Sequence, residues 1–152
     1  MKRTPLRRKG KSETAKLKEE IQALVRAIVV RRDKGCLFRN CYDAPSCNGF
    51  DKNRRLVLQA DHLITRANSA TYADTRLIVC VCKGHHGWKN WHKPEYDALA
   101  KELIGPERAA LWQRCEEDSW RPKRTGANDW RLSIAALKQE LRQYEPVEWA
   151  EQ

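Results

Sequence analysis

All four histidines of this 152-residue chain fall between positions 62 and 92. The first stands in LQADHLITR, Leu58 to Arg66, directly after Asp61 in an otherwise apolar run; the others stand in CKGHHGWKNWH, as His85, His86 and His92. Imidazole is largely neutral at pH 7 and can take a proton from water. A carboxylate with an imidazole can bind a divalent cation, and thiolates with an imidazole suit a tetrahedral zinc ion. Two kinds of chemistry are therefore encoded close together: a structural metal knot and a hydrolytic site.

The metal knot is the more local of the two. Cys82 and His85 in CKGH are separated by two residues, a spacing that supplies half a tetrahedral site at low ordering cost. The other half must come from CLFRNCYDAPSCNG, which offers Cys36, Cys41 and Cys47. Cys36 follows a helix and a glycine, as a ligand at the start of a turn does. Cys47 is preferred as its mate because Asn48 and Gly49 readily adopt left-handed turns that aim backbone amides at a thiolate, with Cys41 as the alternative. Cys80 alternates with Cys82 along a strand and is expected in the core; Cys115 lies far off in a helix.

The hydrolytic set is Asp61, His62 and His86. Successive strand residues point to opposite faces, so Asp61 and His62 can address one point only where the strand twists, bulges or ends. A helix opening near His85 or His86 would carry His86 and, one turn on, Asn90 on one side. Arg66, Lys89 and Lys93 are candidate phosphate contacts, with His92 a secondary one. Trp88 and Trp91 are expected to pack in the core rather than stack on bases.

The elements that must position these groups can be read from periodicity and punctuation. Ser12 caps a helix to about Arg32, with Leu17, Ile21, Leu24, Val25 and Ile28 on its inner face. RRLVLQADHLI reads as a strand, and Thr75 to Val81 as its partner. Helices follow from His85 or His86, from Pro94 to Ile104 and from Pro106 to about Glu117. Trp130, Ile134, Leu137, Leu141 and Tyr144 line a final helix, expected to pack on its own domain rather than on another chain, although a dimer seam fits the same pattern.

Length allows one domain with extensions: a basic arm at 1–11 containing Arg7 and Arg8, a domain at 12–118, a linker at 119–128 and the final helix at 129–152. Thirty Lys and Arg against twenty Asp and Glu leave a net charge of +10, which calls for a polyanionic partner, and Arg7 and Arg8 suit phosphate. No apolar run reaches the roughly 20 residues of a membrane span. A cytoplasmic location without membrane contact is expected, where the six cysteines are metal ligands or buried thiols rather than disulfides.

The order Cys, Cys, DHL, strand, CxxHH resembles the HNH endonucleases of the ββα-metal, treble-clef type, over roughly Cys36 to Ile104. The basic arm and YDALAKELIGPERAALWQR are similar to small nucleases of phage recombination and replication regions, of the NinG or Rap kind. The resemblance implies an α+β fold: a zinc-stabilised treble-clef ββα-metal core with flanking helices. It implies His62 as general base, Asp61 and His86 as ligands of a catalytic Mg or Mn ion, and Cys36, Cys47, Cys82 and His85 as structural zinc ligands. One departure stands out. The Asn that steadies the catalytic histidine in this family falls near Leu77, which cannot do so; Asp74 or Thr75 would have to substitute.

The reading that follows is a metal-dependent DNA endonuclease, monomeric or homodimeric. Its rival is a zinc-stabilised nucleic-acid-binding protein without cleavage. A zinc-scaffolded protein adaptor would leave the positive charge unexplained.

Overall fold

The computed structural model describes residues 10–66, 70–118 and 126–146. Arg7, Arg8 and most of the expected 119–128 linker lie outside them. The described residues form a mixed α+β fold: α1 (Glu13–Asp33), β1 (Leu58–His62), β2 (Ile78–Cys82), α2 (Lys83–Lys89), α3 (Lys93–Leu103), α4 (Pro106–Asp118) and α5 (Ala127–Leu141). None of the described helices is long and apolar enough to cross a membrane.

α1 begins where the sequence signals it. The Ser12 hydroxyl accepts from the Ala15 amide, and Ile21, Val25, Ile28 and Val29 bury one face. It ends on Lys34 in the left-handed region (φ 52°), whose amide donates to the Val30 carbonyl. Gly35 (φ 145°) then turns the chain into Cys36. The end of α1 is tied to β2 by polar contacts: Asp33 accepts from the Cys80 amide at 2.9 Å, and Arg32 donates to the Thr75 and Ile78 carbonyls at 2.8 and 2.9 Å. Cys80 is thus a core residue, its thiol pushed up to about 12 by burial and the neighbouring Asp33.

β1 and β2 pair antiparallel, Asp61 opposite Val79 and His62 opposite Ile78. Both strands are shorter than sequence suggests. The partner does not begin at Thr75: Asp74 accepts from the Arg76 amide and caps a 3-10 turn over Thr75–Leu77, so extended structure starts at Ile78. The first strand does not begin at Arg54, because that residue has a positive φ (60°) inside a turn, and Phe50 and Leu56 form only an isolated bridge. Helix α2 opens at Lys83 rather than His85, since the Cys82 sulfur accepts from the His85 amide and serves as the cap. α5 lies along α1 in cis, burying Trp130, Ile134 and Leu137, and ends at Leu141 before Tyr144.

α5 reaches the hairpin as well. Trp130 meets the Tyr72 ring edge-on at 5.4 Å, and Thr75 donates its hydroxyl to Glu140 at 2.7 Å. The final helix therefore buttresses the segment that follows β1. We predict that Trp130→Ala lowers stability by about 3–5 kcal/mol. Leu132→Ala, at an exposed position of the same helix, should change it by under about 0.5 kcal/mol. Urea unfolding of both variants checks this, and equal costs would mean that α5 is not docked as described.

Candidate metal cluster and hydrolytic site

Two knuckles meet at the end of the hairpin. The Asn48 carbonyl accepts from the Gly84 amide at 3.1 Å, and a Cβ on Gly84 would lie 1.9 Å from Asn48 Oδ1, so a larger residue there would have to displace the Asn48 side chain. Cys36, Cys47, Cys82 and His85 are brought together by it, with their ligand atoms all within 4.8 Å of one another. His85 Nδ1 stands 3.0 Å from Cys82 Sγ, 3.4 Å from Cys36 Sγ and 3.8 Å from Cys47 Sγ. Bonds of about 2.0–2.3 Å around a tetrahedral ion set ligand atoms roughly 3.3–3.8 Å apart, close enough to these separations that the four atoms could hold a metal ion. Cys41 is outside the group and packs against the core.

The protonation pattern fits as well. His85 Nε2 donates to the Pro45 carbonyl at 2.7 Å, which leaves Nδ1 with its lone pair toward the sulfurs. Burial holds the His85 imidazole below its ordinary value, hence neutral, and pushes the Cys36 and Cys47 thiols up. Burial opposes thiolates here unless a cation joins them.

Asp61 is 3% exposed and points toward α2 and α3. Its Oδ2 accepts from Lys89 Nζ at 2.8 Å and from the Tyr96 hydroxyl at 2.6 Å. Its Oδ1 faces His86 Nδ1 at 3.3 Å. Burial alone would raise the carboxyl, but His86, Lys89 and Tyr96 together outweigh it and hold the group below the ordinary carboxylate value. The His86 contact is at ion-pair distance but outside good hydrogen-bond geometry, and Nδ1 is shielded from solvent with no other partner among the described residues.

His62 takes the other face of β1, as the pleat requires, at the strand's last residue. Its Nε2 is 3.1 Å from the Tyr72 carbonyl, which can only accept, so the proton sits on Nε2 and Nδ1 is bare. Burial, aided by Arg66 and Lys89, holds this imidazole below its ordinary value despite the Tyr72 hydrogen bond. His62 Nδ1 too is shielded and unpartnered among the described residues. Beside the ring opens a cavity of about 280 Å³ lined in part by Gln22, Arg26, Gln59 and Arg66.

The structure thus brings Asp61 and His86 into contact, while His62, their neighbour in sequence, takes the opposite face of β1 and lines a cavity that neither of them reaches. The expectations for Lys89 and Trp91 need correction, while Asn90, His92 and Lys93 stay exposed. Lys89 is not an available phosphate contact: it is 15% exposed, and its ammonium is shared by Asp61 and the His62 carbonyl. Lys93 pairs with Asp97 one turn along α3. His92 stacks on Trp88 at 5.8 Å. Trp91 is 87% exposed rather than packed. Asn90 is the exposed C-cap of α2, one turn after His86. Asp74 is paired with Arg76 and Thr75 with Glu140; the Tyr72 carbonyl, and neither of these side chains, holds His62.

Tyr96 and Tyr72 carry no local sequence signal, because their partners are 35 and 10 residues away. Lys89 had one: at i+3 from His86 it shares that helix face. No family model, curated protein or solved structure matches the chain. The purified protein should carry one transition-metal ion per chain at this cluster, measured by elemental analysis. Cys82→Ser should lose it and melt at lower temperature, while Cys41→Ser should keep both metal and melting temperature; retention by Cys82→Ser would contradict the assignment.

Proposed function

We propose that this chain is a metal-dependent DNA endonuclease built on a zinc-stabilised, treble-clef ββα-metal core. One observation carries the reading: His86 Nδ1, shielded and without a hydrogen bond, stands 3.3 Å from the buried Asp61 carboxylate, and on the other face of the same strand end His62 Nδ1 is shielded and unpartnered among the described residues. Unsatisfied polar atoms are rare in buried positions and collect where an ion or a reaction supplies the missing partner.

In this reading Cys36, Cys47, Cys82 and His85 hold the structural zinc and fix the start of α2 against β1. Asp61 Oδ1 and His86 Nδ1 are spaced for neighbouring positions on one divalent ion. Lys89 and Tyr96 occupy Oδ2 and so turn Oδ1 toward His86. A Mg or Mn ion bound there would neutralise charge on the phosphate and on the departing 3′ oxygen. His62 Nδ1 accepts a proton from water, whose oxygen forms a new bond to phosphorus as the bond to the 3′ oxygen breaks. The Tyr72 carbonyl keeps the reacting nitrogen in the correct tautomer.

DNA is the proposed partner because the +10 charge suits a polyanion and the proposed reaction acts on a phosphodiester. The second reading, a zinc-stabilised DNA-binding protein without cleavage, has its own support. Lys89 already neutralises Asp61 without a divalent ion.

Incubation of plasmid and branched DNA with the protein and Mg or Mn separates the two. The nuclease reading predicts cleavage that His62→Ala reduces by about 10²–10⁴-fold, with DNA binding unchanged in a gel-shift measurement. Binding without cleavage by the wild type in either metal would sink it and leave the second reading standing.

A further inference from the structure

Between the two metal knuckles the chain makes an excursion that the hydrolytic site does not use. Gly49 (φ 90°) leads into Phe50, the chain reverses over 51–55, and Leu56 returns opposite Phe50. The reversal is tightly specified. The Arg54 amide donates to the Asp51 carbonyl at 3.0 Å and the Asp51 amide to the Arg55 carbonyl at 2.9 Å. Asp51 Oδ1 accepts from the Asn53 and Arg55 amides, both at 2.8 Å. At the base, Val57 donates to the Gly49 carbonyl and Lys83 to the Val57 carbonyl, which fixes the excursion to the knuckle that carries Cys82.

Two features of this tip are unfavourable taken alone. Arg54 adopts φ 60°, a region where glycine sits without strain and a side chain does not. Phe50 is 59% exposed, beside a run in which Lys52, Asn53, Arg54 and Arg55 are all exposed. Lys83 adds another exposed cation at the base, where its Cβ would come within 2.6 Å of a Cβ on Gly49. The acid in the run, Asp51, is spent on the turn's own amides. What remains is a rigid, cationic projection with an aromatic side, anchored to the metal cluster.

We propose that the 50–56 hairpin is a DNA-contacting finger: Lys52 and Arg54 grip phosphates of the duplex backbone, and Phe50 lies against the sugars beside them. The ligand class follows from chemistry, since compact cations on a preorganised backbone match a regular array of phosphates. The inference rests on the DNA reading but not on cleavage, because the finger's residues are separate from Asp61, His62 and His86.

The test uses the full chain carrying His62→Ala, so that DNA stays intact, and follows binding to a fluorescent duplex by anisotropy over a salt series. Lys52→Ala with Arg54→Ala should weaken binding and flatten the slope of log affinity against log salt by about 2, roughly 0.9 for each phosphate no longer neutralised. Arg54→Gly should raise the melting temperature by relieving the backbone while still weakening binding and flattening the slope by about 1. A purely structural turn would give the melting shift with the parent's affinity and slope, and that result overturns the proposal. If the parent itself fails to bind DNA, the DNA reading falls and the finger with it; parent binding with unaltered variants removes the finger alone.

Discussion

Three sulfurs and one imidazole nitrogen converge on a point that, as neutral groups, they have little reason to share. The segments that supply them, around Cys36 to Cys47 and at Cys82 to His85, are joined through a long excursion and the short two-stranded sheet. Buried thiols set this close gain little from one another when neutral and repel as thiolates. A shared cation reverses that sign, and its binding free energy then becomes folding free energy. The fold places this knot at the corner where β2 passes into α2, so the orientation of α2 relative to β1 depends on it.

From that corner the hydrolytic candidates are reached by two routes, one on each face of β1. On the first face the Phe38 ring packs 5.0 Å from His85 and 4.8 Å from Tyr96, and the Tyr96 hydroxyl holds Asp61. A displacement at the knot would therefore pass through aromatic packing to the carboxylate. On the second face α5 supports Tyr72 through Trp130, and the Tyr72 carbonyl holds His62. Asp61 and His62 are adjacent in sequence yet are positioned by different parts of the molecule. A strand that ends between two packed faces gives two adjacent residues different surroundings.

Much of this was legible in the residues. Helices with a continuous apolar face, such as Ile21 to Val29, declare themselves because burial and the 3.6-residue period act over many positions at once. The cluster of Cys36, Cys47, Cys82 and His85 was legible because Cys82 and His85 form a short-range pair of ligand types, and Asn48 and Gly49 favoured Cys47. What escaped depends on single side chains choosing partners far away. Asp74 turned an apparent strand start into a 3-10 turn; Lys89 joined a buried carboxylate instead of solvent; Tyr96 donated across 35 residues. The positive φ of Arg54 was equally invisible, since arginine carries no signal for that region.

The proposed zinc knot can be examined directly by X-ray absorption on the purified protein. The account predicts a first shell of three sulfurs at about 2.3 Å and one nitrogen at about 2.0–2.1 Å, lost together when Cys82 is replaced. A shell of oxygen and nitrogen alone, or a protein that folds with the four side chains holding no metal, would contradict it.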